Sequence, residues 1–195
     1  MAGQFWSSVA NDRPRGGQKT RIFLGIFFER KWGLGGRPVY ILAMKYLVSD
    51  LGEDLSERLH GRDLIVFDGV CVLCSGFIQF MLRHDREARF SFAMAQAELG
   101  QALYAALGMP LDEFQTNLVI KEGWIYTDLD AFAAAMGALP WPWKVLGVAR
   151  VLPQLIKVPL YRVVARNRYR IFGRYDACLV PDDAVRARFL PGGMV

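Results

Sequence analysis

The sequence predicts an α/β domain, a mixed sheet covered by helices, with further helices toward the C-terminus and an extension at the N-terminus. Three observations carry this. "LIVF" (64–67) is a short continuous apolar run, as expected of a central strand covered on both faces. Cys74, Phe77, Ile78, Met81 and Leu82 then fall at i, i+3, i+4, i+7 and i+8, one apolar stripe of a helix. Strand-like and helix-like segments go on alternating to about residue 139.

Taken in order, residues 1–20 are polar, contain Gly and Arg, and are expected to be flexible. Residues 21–60 hold apolar clusters split by "GLGG" and Pro38, then a helical pattern from Val39 to about Leu59. The division expected is therefore an N-terminal extension over 1–60, packed in part on a main domain over 61–195. "GLGG" follows no clear strand, so it is not read as a phosphate loop. After the first strand and helix, "RFSFA" (89–93) alternates as a strand does, and "AELGQALYAALG" (97–108) is helical, with Gly108 as its stop. "NLVI" and "WIYT" flank Lys121-Glu122-Gly123, a short hairpin connection. Thr127 or Asp128 can cap a helix with Leu129, Phe132, Ala133 and Met136 on one side. The remainder reads as two helices divided near Pro153 and Pro159. Strand, helix, strand, helix, hairpin, helix, with the first two strands parallel, is the element order of a thioredoxin-like fold.

The composition is 53% hydrophobic and 22% charged, enough apolar material for a core. No uncharged apolar run approaches the ~18 residues of a spanning helix. The N-terminus has no basic residue ahead of an apolar core, so no secretory signal is evident and a cytoplasmic location is expected. Three cysteines are too few for a disulfide-stapled scaffold. Two of them, Cys71 and Cys74, form a C-x-x-C pair between a strand and a helix. Unpaired backbone N–H groups and the helix dipole point at Cys71 there and favour its thiolate. Cys71 is expected to be the exposed attacking sulfur and Cys74, on the apolar stripe, the more buried resolving one. Two other readings stand beside the redox one: inert core cysteines, or half of a zinc site completed by Cys178 with His84 or His60. The strand-to-helix corner favours redox work. Asp68, three residues before Cys71, suits both a turn-former and a carboxylate that takes the proton released when Cys74 attacks.

Asp68-Gly-Val-Cys71-Val-Leu-Cys74 has the D-x-x-C-x-x-C form after which the DCC family is named, a domain of unknown function regarded as a thiol-disulfide oxidoreductase. "FIQFMLRHDREARFSFA", "NLVIKEGWIYTDLDAF" and "YRVVARNRYRIFGRYDAC" resemble further blocks of that family in the same order, over residues 63–191. The resemblance implies a thioredoxin-like fold and redox chemistry by Asp68, Cys71 and Cys74, without a bound cofactor. Val72 stands where members often have proline. No proline precedes "LVI", where thioredoxins carry a cis-proline, and Thr116 is expected to approach the sulfurs instead. Cys178 ends the arginine-rich block, as a structural thiol or as a third redox thiol passing a disulfide onward.

No acidic residue lies between Asp130 and Asp176, whereas Lys144, Arg150, Lys157, Arg162, Arg166, Arg168, Arg170 and Arg174 do. Arg162, Arg166 and Arg170 repeat at i, i+4 and i+8, with Trp141, Trp143, Tyr161, Tyr169 and Phe172 interleaved. Three roles fit: a solvated face with the aromatics in the core, ion pairs to acids such as Asp112 or Glu113, or weak contact with an anionic membrane surface. No recognition motif points to specific nucleic acid. The leading expectation is dithiol–disulfide exchange with a disulfide-bearing protein or small thiol. The alternative is a non-catalytic module, holding zinc or docking through its basic helices.

Overall fold

The computed structural model describes residues 46–175 and 183–195, all within the compact unit Pro38–Val195. Cys178, "GLGG" and residues 1–45 lie outside the described residues. The chain runs β1 (Tyr46–Leu47), a 3₁₀ turn (Val48–Asp50), α1 (Glu53–Leu59), β2 (Asp63–Phe67), α2 (Val72–His84), β3 (Phe90–Met94) and α3 (Glu98–Ala106). It continues through β4 (Leu118–Lys121), β5 (Trp124–Tyr126), α4 (Asp128–Gly137), a 3₁₀ segment (Trp143–Val151), α5 (Gln154–Phe172) and α6 (Asp183–Arg186). The five strands form one mixed sheet in the order β1-β5-β4-β2-β3. β2 and β3 are parallel, as expected of two strands joined by a helical crossover, and the other pairs are antiparallel. The class is the helix-covered mixed sheet read from the sequence.

The "LIVF" run is buried because it is central. Leu64 and Val66 face one layer, with Leu55, Leu59, Leu99 and Leu103 of α1 and α3. Ile65 and Phe67 face the other, with Ile78 and Met81 of α2 and Ala131 and Ala135 of α4. Alternating side chains thus feed two cores, and each fully buried aliphatic contributes roughly 1.5–3 kcal/mol. The hairpin turns on Glu122 and Gly123, both at positive φ (53° and 78°), as a two-residue primed turn requires. Gly108, at φ 65°, follows α3 as its expected stop.

Three elements differ from expectation. In the described part of 39–59 the helix is confined to Glu53–Leu59, because Gly52 at φ 95° breaks the chain direction; Tyr46–Leu47 pairs instead as an edge strand on β5. α4 is buried on more sides than one stripe allows, at Ala131, Ala133, Ala134, Ala135 and Met136. The 3₁₀ segment presses on it so closely that a Cβ on Gly147 would lie 2.8 Å from Gly137 Cα. Finally, α5 runs straight through Pro159. The carbonyl that Pro159 leaves without a partner belongs to Leu155, which is exposed, so water can satisfy it. Among the described residues no helix is long and apolar enough to cross a membrane.

Candidate active site

The site is assembled at the β2–α2 corner. Asp68 and Gly69 turn the chain: Val70 N–H donates to Asp68 Oδ1 at 3.2 Å and Cys71 N–H donates to the Asp68 carbonyl at 3.2 Å. Cys71 then occupies the N-cap of α2, with extended backbone (φ −83°, ψ 118°), and its Sγ accepts the Cys74 N–H at 3.3 Å. A sulfur here replaces the Ser or Asp oxygen of an ordinary cap, and the same orphan donors that favour a carboxylate favour a thiolate. Both cysteines are free thiols.

The ionisation of the two sulfurs is pulled apart. A hydrogen bond from the Cys74 side chain, the Cys74 N–H and the charge of Arg168 outweigh burial and Asp68, bringing Cys71 from 9.0 to about 7. Cys74 is driven far upward by that same hydrogen bond to Cys71, by burial and by the Cys71 charge. Near neutral pH Cys71 is therefore partly thiolate, while Cys74 keeps its proton. Cys71 is not exposed as expected: it is buried, at 0% exposure, and Cys74 is buried as well. A segment far beyond α2 also pairs with this corner. After α5 the strap Gly173–Tyr175 returns over the corner, Arg174 bridging antiparallel to Cys71 and Tyr175 N–H donating to the Val70 carbonyl at 2.9 Å.

Asp68 is completely buried and all its side-chain bonds are to donors. Oδ1 also accepts from Gln96 Nε2 at 2.7 Å, while Oδ2 accepts from Arg168 Nη2 at 3.2 Å and from the Tyr169 hydroxyl. Arg168 Nη2 further donates to the Tyr169 hydroxyl at 2.8 Å and to the Phe114 carbonyl. Its guanidinium stacks 4.5 Å from the Tyr169 ring, and Arg174 lies 4.6 Å from the same ring. Burial and then the bond to Asp68 push the Tyr169 hydroxyl up to about 12. Burial alone would make Arg168 easier to deprotonate, but Tyr169, Cys74 and Asp68 outweigh it and hold the charge. Asp68 is thus a turn-former and the counterion of a buried arginine at once.

Thr116 is held by two hydrogen bonds of its own. Its hydroxyl donates to the Asn117 carbonyl at 3.0 Å and accepts the Asp128 N–H at 2.6 Å, tying the start of β4 to the start of α4. His84 places Nδ1 2.8 Å from the Phe80 carbonyl and stacks on that ring at the far end of α2. Among the described residues no cluster of three or more His, Cys, Asp or Glu could hold a metal. Within the basic block Arg168 pairs with Asp68 and Lys157 with Asp130, and further on Arg188 pairs with Asp85. Arg162, Arg166 and Arg170 are exposed, as expected of a solvated face, but Trp141 and Phe172 are exposed too and not in the core.

Sequence reasoning missed Arg168, Tyr169 and Gln96. A signal existed for the first. Lys157, Tyr161 and Arg168 share a helical stripe (i, i+4, i+11) distinct from that of Arg162, Arg166 and Arg170. Gln96 reaches Asp68 across 28 residues of chain with no local pattern to announce it.

The chain is similar to known proteins over this region. The family model described as DCC1-like thiol-disulfide oxidoreductase matches residues 65–174. The chain is 35% identical over 136 residues to the uncharacterized protein YuxK of Bacillus subtilis, covering 70% of this chain and 98% of that one. It is 32% identical over 118 residues to the DCC family protein At1g52590, chloroplastic, of Arabidopsis thaliana, covering 60% of this chain and 69% of that one. No solved structure matches.

Proposed function

The chain belongs to the DCC1-like thiol-disulfide oxidoreductase family, and from that premise we propose that it is an enzyme of dithiol–disulfide exchange acting through Cys71 and Cys74. The observation that carries the reading is the N-cap position of Cys71, where the Cys74 N–H, the Cys74 side chain and the Arg168 charge all favour a thiolate. That thiolate attacks one sulfur of a partner disulfide, forming a Cys71–partner bond and expelling the other partner sulfur as a thiolate. In the mixed disulfide Cys71 is no longer charged. The two strongest Cys71 influences that hold the Cys74 proton, hydrogen bond and charge, then disappear, while the pull of Arg168 toward thiolate remains. Cys74 loses its proton to solvent and attacks Cys71, the partner leaves as its second thiolate, and a Cys71–Cys74 disulfide is left. Two electrons pass from the pair to the partner, a disulfide-bearing protein or small disulfide.

Because Cys71 is buried, attack requires the Gly173–Tyr175 strap to move aside. Tuning by Arg168 and the strap's cover together make the sulfur reactive only when a partner displaces the cover.

The reading is tested with a small aromatic disulfide whose released thiolate is coloured. In a Cys178→Ser background, which removes the third thiol, the reduced protein should release two equivalents, Cys74→Ser one equivalent with the other half retained on Cys71, and Cys71→Ser none on the same timescale. Equal release by all three proteins would overturn it.

A further inference from the structure

α5 is turned inside out relative to an ordinary surface helix. Its inward stripe is polar: Lys157 donates to Asp130 at 2.6 Å, Tyr161 to the Gln115 carbonyl at 3.4 Å, and Arg168 to Asp68. Lys157 and Arg168 are the buried residues of this helix. Its outward face is aliphatic, and the 3₁₀ segment before it extends that face. Val151 is 81% exposed, Leu155 89%, Val163 62% and Ile171 64%. Soluble proteins place the apolar stripe inward, and their exposed apolar side chains are scattered rather than gathered on one element. Here the described exposed large apolar residues concentrate between Trp141 and Phe172. Something apolar is therefore expected to cover this face.

Charge identifies the cover. Arg162, Arg166 and Arg170 run along the flank of the face, and residues 131–175 contain no acidic side chain. A second copy would oppose cations to cations in a two-fold interface. The chain's own residues 1–45 bring eight Lys and Arg against Asp12 and Glu29, adding to the same charge. Apart from the exposed Gln154 and the guanidiniums along its flank, the face also offers few directional groups to fix the register of a protein partner. Residues 141–172 contain no Ser, Thr, Asp, Glu or His, and Asn167 spends its amide on the Val163 carbonyl of its own helix. Protein interfaces carry about one hydrogen bond per 100–200 Å², whereas a fluid bilayer surface demands none.

We propose that the face formed by the 3₁₀ segment Trp143–Val151 and α5 seats the protein on an anionic lipid surface. Its aliphatic side chains enter the headgroup–acyl boundary, and Arg162, Arg166 and Arg170 lie among the phosphates. The proposal stands independently of the redox chemistry. It gives α5 two tasks, since the helix that meets the lipid also carries Arg168 to Asp68 from its other side.

The test is co-sedimentation of the full chain with vesicles of phosphatidylcholine alone and of phosphatidylcholine with phosphatidylglycerol. The wild-type protein should pellet with the anionic vesicles and release partly at high salt. A Leu155→Ser, Val163→Ser, Ile171→Ser triple variant keeps every charge and touches only exposed positions. It should bind at least about tenfold more weakly, since each apolar side chain withdrawn from the boundary removes a sizeable share of the 1.4 kcal/mol that a factor of ten represents. A second variant, Arg162→Gln, Arg166→Gln, Arg170→Gln, should lose the salt dependence. Three results would each overturn the proposal: no association with either vesicle, unchanged binding by the serine variant, or a wild-type dimer that this variant converts to monomer.

Discussion

Asp68 and Arg168 act on Cys71 with opposite signs, and single substitutions separate them. Arg168→Gln removes a charge that favours the thiolate, so the Cys71 pKa should rise. Asp68→Asn removes a charge that opposes it and retains an oxygen for the Val70 N–H, so the same pKa should fall. Thiolate absorbance against pH reads both. Two shifts of the same sign would mean that the residues merely hold the corner together. Arg168→Lys should keep the pKa near the wild-type value but lose the stacking on Tyr169. The depressed Cys71 pKa also makes stability depend on pH. Between about pH 7 and 9 the unfolded chain binds more protons at this sulfur than the folded one. Stability contributed by Cys71 is therefore full above pH 9 and is lost as the pH falls through 7, on the order of 2–3 kcal/mol. Cys74 is shifted the other way and opposes folding only above pH 9. Denaturant midpoints of the reduced protein should rise from pH 7 to 9, and Cys71→Ser should flatten the rise.

At the scale of elements, what could be read in advance followed from periodicity. "LIVF" and the stripe from Cys74 to Leu82 are short-range patterns, and they became β2 and the inward face of α2. The Glu122-Gly123 turn was equally local. Where the pattern fell short, contacts distant in sequence decided. The aromatic and basic block after residue 140 left a solvated basic face and ion pairs to distant acids both open, without saying which cations turn inward. α5 directs Lys157 and Arg168 inward, because buried Asp68 and well-covered Asp130 need counterions. The pairing of the strap with the Cys71 corner was illegible for the same reason, since the strap lies about a hundred residues downstream. That strap can be loosened on its own. Tyr175→Pro deletes the N–H that bonds the Val70 carbonyl, yet leaves Asp68, Arg168 and Cys74 in place. Alkylation of Cys71 should become faster by several-fold at every pH, with no change in the pH at which the rate is half-maximal. A shift of that midpoint instead would assign the strap to tuning the sulfur, not to covering it.

For the molecule as a whole, the open question in a five-stranded sheet with β3 at one end is what protects that end. β3 lies beside β2, and its other edge would present a row of unpaired N–H and carbonyl groups. The C-terminal residues fill it. Phe92 N–H donates to the Arg188 carbonyl at 2.9 Å, Leu190 N–H to the Phe92 carbonyl at 3.1 Å, and Met94 N–H to the Gly193 carbonyl at 2.7 Å. Phe189 closes against the rings of Phe67 and Phe92, and Leu190 enters the core beside Leu64 and Leu99. The segment is anchored by Arg188, which binds buried Asp85 at 2.7 Å and the Phe90 carbonyl. Gly193 is required where it stands, since a Cβ there would lie 2.8 Å from the Leu190 carbonyl oxygen. Nothing in "ARFLPGGMV" resembles a strand, because its pairing is set by β3 and not by its own alternation. Removing residues 188–195 should therefore cost more than their few apolar contacts. It leaves Asp85 buried without its cation, a loss of about 3–5 kcal/mol by itself, and opens the sheet edge. Thermal unfolding of the shortened chain should begin well below that of the full chain and end in aggregation. Arg188→Met, which keeps the backbone pairing, should lower the midpoint without aggregation. If the shortened chain melted like the full one, the tail would be a passive appendage and the edge of β3 would need another guard.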